Sequence, residues 1–170
     1  MSYADDTTTT FTDMLGTLER LVDKAEAGGL DDAVLGAKLA EDMFPLETQF
    51  RVAINQIWLA LGRAGPEELP LDEEAYTSLA DVRARLRAVR EGLAAMPPAS
   101  WADPEAEIDM TLPNGMRFVM TTREYIRDWM LPNFYFHTTM AYALLRHNGL
   151  DLGKIDFVGH MARYARAPGS

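Results

Sequence analysis

Seven apolar residues, Tyr76, Leu79, Val82, Leu86, Val89, Leu93 and Met96, recur at steps of three and four through DEEAYTSLADVRARLRAVREGLAAM. That spacing lines one face of an α-helix and no face of a strand. A striped helix is marginal alone and needs other striped helices to cover it. Three further stretches supply them. In TTFTDMLGTLERLVDKAEAGG the stripe is Phe11, Met14, Leu15, Leu18, Leu21, Val22 and Ala25, with the threonine run as a source of an N-cap and Gly28 and Gly29 as the stop. In LDDAVLGAKLAEDMFPLETQFRVAINQIWLALGRAG, Asp31 or Asp32 is expected to cap a short helix to about Ala40. Pro45 then suits the first turn of a long helix carrying Leu46, Phe50, Ala53, Ile57 and Leu61 and ending at Gly62 and Gly65. PEELPLD reads as a loop.

The last long stretch is TTREYIRDWMLPNFYFHTTMAYALLRHNG. Thr121 and Glu124 have the spacing of a capping box, and Gly149 stands where a C-cap glycine belongs. Ile126, Met130, Asn133, His137, Met140, Ala141 and Leu144 share one face, and Pro132 is expected to kink the helix or split it. Just before it, AEIDMTLPNGMRFVMTT changes period. Ile108, Met110 and Leu112 alternate with polar residues on one side of Asn114-Gly115, and Met116, Phe118 and Met120 on the other, which predicts a β-hairpin. A lone hairpin is too small to stand free, so its Met/Phe face should pack on the helices. Four long amphipathic helices with one inserted hairpin predict an all-α four-helix bundle, one domain over residues 1–170 with a short irregular tail from about residue 150.

The formal net charge of −10 argues against nucleic acid and anionic membranes as partners, since both need a basic footprint. There is no cysteine, so disulfides, thiolate nucleophiles and cysteine-ligated metals are excluded. MSYADDTTTT lacks the basic and apolar regions of a signal peptide, and no apolar run approaches about 18 residues, so a cytoplasmic protein is expected. No phosphate-binding glycine loop and no Gly-x-Ser-x-Gly elbow occurs. Glu41, Asp42 and Glu47 cluster at the start of the second long helix, where acids serve as dipole partners.

Asn133 and His137 are the polar residues on the apolar face of the fourth helix, one turn apart. Gln49 lies one turn after Pro45, beside the Leu46/Phe50 stripe. Three readings of this set stay open: a core histidine satisfied by amides, the floor of a ligand pocket, or a metal site held by His137 alone among good ligands. Trp129, Phe134, Tyr135, Phe136 and Tyr142 are too many for one buried face. Tyr135 is accordingly a candidate for a ligand site or for a subunit interface, unless the hairpin and tail cover these rings.

DMFPLETQ and LPNGMRFVMTTREYIRDWMLPNFYFHTTMAYALLRHNGLDLGKIDFVG resemble an uncharacterised domain-of-unknown-function family of bacterial proteins within the DinB/YfiT-like superfamily of putative metalloenzymes. The resemblance spans about residues 8 to 160, most specifically PNFYFH and AYALLRHNG. It implies a four-helix bundle, often a homodimer. It also implies a metal held in some members by one histidine on the second helix and two, at i,i+4, on the last. Carried over, His137 matches the second of that pair, Asn133 stands at the first, and Gln49 falls about where the second-helix histidine belongs. The chain therefore departs from the metal pattern at two of three positions. The leading expectation is a homodimeric bundle with no cofactor that binds a small molecule or partner near Gln49, Asn133, His137 and Tyr135. The alternatives are a metal-dependent transferase or hydrolase with zinc or nickel on His137, or a structural homodimer without a ligand.

Overall fold

The computed structural model describes residues 2–65 and 69–166; part of the PEELPLD loop and the last four tail residues lie outside the described residues. Four long helices, α1 (Tyr3–Ala27), α2 (Leu46–Ala64), α3 (Leu79–Ala95) and α4 (Leu131–His147), form the bundle. α1 packs along α3, α3 along α2, α2 along α4 and α4 along α1, closing a ring in which α2 and α4 share the most extensive seam. The hairpin, β1 (Glu107–Thr111) and β2 (Arg117–Thr121), precedes α4 as expected. The core consists of the predicted stripes: Phe11, Leu15, Leu18, Phe50, Ile57, Leu61, Val82, Leu86, Val89, Met130, Phe134 and Leu144 are all sealed.

Several boundaries differ from the sequence expectation, each for a local reason. α1 begins before the threonine run, because Ser2 and Asp5 form a capping box around its first turn. The threonines are then helical, and Thr7 satisfies its hydroxyl on the Tyr3 carbonyl one turn back. The segment after Asp31 closes into a 3₁₀ turn, Asp32–Gly36, shorter than expected. α3 starts at Leu79, so Tyr76 lies outside it. Ser78 caps the Asp81 amide while the Asp81 carboxylate takes the amides of Thr77 and Ser78. Ser78→Ala should lower the unfolding free energy by about 1 kcal/mol in urea titration, the usual loss of an N-cap. α1 and α4 both end in Schellman motifs, with Gly29 and Gly149 at positive φ and the amides of Leu30 and Leu150 reaching back to the carbonyls of Ala25 and Leu145.

Leu112 and Met116 bond across the hairpin end, so the loop is the three residues Pro113, Asn114 and Gly115, with Gly115 at φ 85°. Ile108 and Met110 of β1 are buried, Phe118 and Met120 of β2 half-buried, and Met116 exposed. The last helix continues through Pro132 instead of breaking there. A π-helical turn, Tyr125–Met130, runs into α4, with the Leu131 amide bonded to the Ile126 carbonyl five residues back. The tail folds as α5 (Lys154–Phe157) and a 3₁₀ turn, Gly159–Tyr164, strapped across α1. One stripe of α1 holds it: Asp13 pairs with Arg163, Thr17 donates to the Phe157 carbonyl, and Lys24 pairs with Asp156. No helix among the described residues is long and apolar enough to cross a membrane.

Candidate functional site

The α2–α4 seam carries one polar pair inside otherwise apolar packing. Gln49, in the second turn of α2, is 1% exposed, and His137 of α4 is 8% exposed. Gln49 Oε1 lies 2.8 Å from His137 Nδ1, and Gln49 Nε2 lies 3.1 Å from the Phe44 carbonyl. The assignment of hydrogens follows from chemistry. A carbonyl only accepts, so the end of Gln49 facing Phe44 is its NH₂ and the end facing His137 is its oxygen. An amide oxygen also only accepts, so Nδ1 carries the imidazole hydrogen and, in the neutral ring, Nε2 is an acceptor. Burial pushes the His137 pKa below its usual value, which keeps the ring neutral at pH 7. Nε2 has no protein partner among the described residues, yet it is not sealed from solvent.

Asn133 does not join this pair. Its Nδ2 donates to the Trp129 carbonyl at 2.7 Å, one turn back on its own helix. Its oxygen is left without a partner among the described residues. Tyr135, two residues from His137, points about 200° around the helix. It lies toward α1, where burial and the nearby Asp13 charge raise its pKa. Phe136 is 56% exposed with its ring edge-on to the imidazole at 5.2 Å, and Phe44 is 58% exposed.

Two contributors were missed at the sequence level. Phe44 acts through its backbone carbonyl, for which no side-chain signal exists. It does sit just before the N-cap of α2, where an apolar residue normally folds down onto the helix, and its exposure departs from that habit. Glu47 was grouped with the acids at the start of α2, but it is buried and anchors the segment before α3. The cleft of about 390 Å³ at the other end of α2, lined by Trp58, Arg63, Leu69 and Ile108, holds none of these groups.

The family model of a domain of unknown function, DUF1993, matches residues 4–158. The chain belongs to the DUF1993 family. A solved structure of a DinB family member protein from Shewanella denitrificans is 32% identical, covering 97% of this chain and 95% of that one, with a TM-score of 0.83. This DUF1993 chain therefore has the DinB-like helical bundle. No curated protein matches it.

The metal implied by the wider superfamily does not fit the side chains here. Among the described residues no group of three or more His, Cys, Asp or Glu converges where an ion could sit. Both ends of the Gln49 amide are committed, and what remains is one imidazole nitrogen and the weakly ligating amide oxygen of Asn133.

Because the folded His137 resists protonation, acid favours the unfolded chain, which takes up the proton from about pH 6.5 downward. The His137 contribution is present in full above that pH and is lost as pH falls toward the folded value. Asp13 and Asp156, held low by Arg163 and by the Gly153 amide, act only in the carboxylate range further down. The stability difference between wild type and His137→Gln should therefore slope in the window just below about pH 6.5. A flat difference in urea titrations across that window would remove the buried imidazole from the account.

Proposed function

We propose that the chain is a binding domain without a catalytic metal, taking a small organic ligand at the α2–α4 seam around His137, Gln49 and Asn133. The carrying observation is that the His137 ring is almost wholly buried and fixed by Gln49 while Nε2 remains unpartnered and open to solvent. Nε2 is thus an acceptor held in place by the Gln49 contact and left for a partner from outside the described residues. Exposed Phe136, its ring against the imidazole, supplies apolar surface of the kind that small-ligand sites commonly have. Metal analysis on protein purified without a histidine tag tests the reading. Substoichiometric zinc and nickel are expected; a stoichiometric ion lost in His137→Ala would establish the metalloenzyme alternative instead.

The surface of α4 supports a second reading, a homodimer. From Trp129 to Leu145 the chain carries no acidic or basic residue apart from neutral His137, in a protein that is 25% charged. Tyr135 and Phe136 stand exposed on that stretch. A dimer in sedimentation that Tyr135→Glu converts to a monomer is the expected result; monomers in both would end it.

A further inference from the structure

The free valences at the α2–α4 seam have one sign. Gln49 gives its NH₂ to the Phe44 carbonyl and its oxygen to the His137 Nδ1–H. Asn133 gives its NH₂ to the Trp129 carbonyl. The donors that these three side chains are seen to use all act inside the protein. What remains is His137 Nε2 and Asn133 Oδ1, both acceptors, neither sealed from solvent nor partnered among the described residues. The two residues are one turn apart, at i and i+4 on the same face of α4.

We infer that this site takes a small organic ammonium: a nitrogen carrying two or more N–H donors on an apolar or aromatic body. The inference rests on the ligand-binding reading above and adds the chemistry of the ligand. A primary ammonium brings three N–H groups on one atom, enough to meet both acceptors at once. A carboxylate or phosphate would press its lone pairs against two acceptors and leave both unpaired. An alcohol brings one donor and satisfies only one of them.

The surroundings agree with a cation. No basic side chain lies between Trp129 and Leu145 on α4. The loop that supplies Phe44 exposes Glu41 and Asp42 against a single base, Lys38, and the whole chain carries −10. Phe136, beside the imidazole and exposed, offers an aromatic ring that can attract a cation as well as cover an apolar body.

The test uses histidine-selective ¹⁵N labelling of the full chain and three probes with one ring: benzylamine, benzyl alcohol and phenylacetate. Benzylamine, a cation at neutral pH, should move the His137 Nε2 resonance saturably and bind at least tenfold more tightly than benzyl alcohol. Phenylacetate should leave that resonance in place over the same concentrations. In Asn133→Leu the benzylamine affinity should fall about tenfold, the size of one good hydrogen bond to a charged donor. The probe order in wild type decides the matter even if that variant folds poorly. If phenylacetate or benzyl alcohol binds as well as benzylamine, the ammonium assignment is wrong while the binding site stands. If none of the three moves His137, the binding site itself is wrong. An unchanged benzylamine affinity in folded Asn133→Leu would overturn the role of the second acceptor.

Discussion

Glu47→Ala should lower the free energy of unfolding by about 3–5 kcal/mol, the range for removing one partner of a buried charge pair. The Glu47 side chain is 9% exposed. Its Oε1 accepts Arg51 Nε at 2.7 Å and the Tyr76 amide at 3.1 Å, and its Oε2 accepts the Thr48 hydroxyl at 2.9 Å. Alanine strands the Arg51 guanidinium, only partly exposed, and a backbone N–H. The loss should also loosen the extended segment before α3. Asp72 in that segment is bonded through its backbone to both ends of the Asn55 amide, and its carboxylate takes the Tyr76 hydroxyl at 2.5 Å and Arg85 at 2.6 Å. Burial and the bond to Asp72 hold the Tyr76 hydroxyl protonated far above its ordinary range. Glu47→Gln keeps an acceptor for Tyr76 and should cost clearly less. Urea unfolding followed by tryptophan fluorescence reads both variants, since Trp58 of α2 lies under the Arg85 guanidinium at 5.3 Å. A cost below about 1 kcal/mol for Glu47→Ala would mean that the carboxylate is an ordinary surface partner of the helix dipole.

That misreading of Glu47 shows where sequence legibility ends. Apolar spacing identified all four bundle helices, because each buries its stripe against two neighbours and the stripe is written in residue types. The hairpin was legible for the same reason, with Ile108 and Met110 turned inward. Boundaries were less legible, because they depend on which polar residue wins a cap. Ser2 did so ahead of the threonines, and Ser78 did so after Tyr76, which leaves that ring outside α3. Burial of a charged residue is harder still. Nothing in the sequence separates the burial of Glu47 from that of Glu41 in the loop before α2 until a distant amide, that of Tyr76, arrives to be satisfied. The seam pair was half legible. Periodicity placed Gln49 and His137 on or beside apolar stripes, so their burial was legible, while which stripes face each other was not. That Asn133 folds back onto its own helix does not follow. The Asn133 NH₂ finds the Trp129 carbonyl one turn back on its own helix, a local contact that no apolar pattern announces.

Gln49→Leu should be the most costly change at the seam, about 2–4 kcal/mol. It leaves the His137 Nδ1–H without an acceptor and removes a donor from the Phe44 carbonyl, at about 1–3 kcal/mol for each stranded group. His137→Leu strands only Gln49 Oε1 and should cost about 1–3 kcal/mol. The double variant should be less destabilised than the sum, because the two leucines leave no unmet group facing each other, and only the Phe44 carbonyl stays without its donor. The excess, measured as a double-mutant cycle in urea, is the coupling carried by the 2.8 Å contact. Asn133→Leu, which shares no bond with the pair, should add to either single variant with no coupling. Additive costs for Gln49 and His137, together with coupling between Asn133 and His137, would show that the amide facing the imidazole in solution is that of Asn133. The acceptor count at the seam would then have to be redrawn.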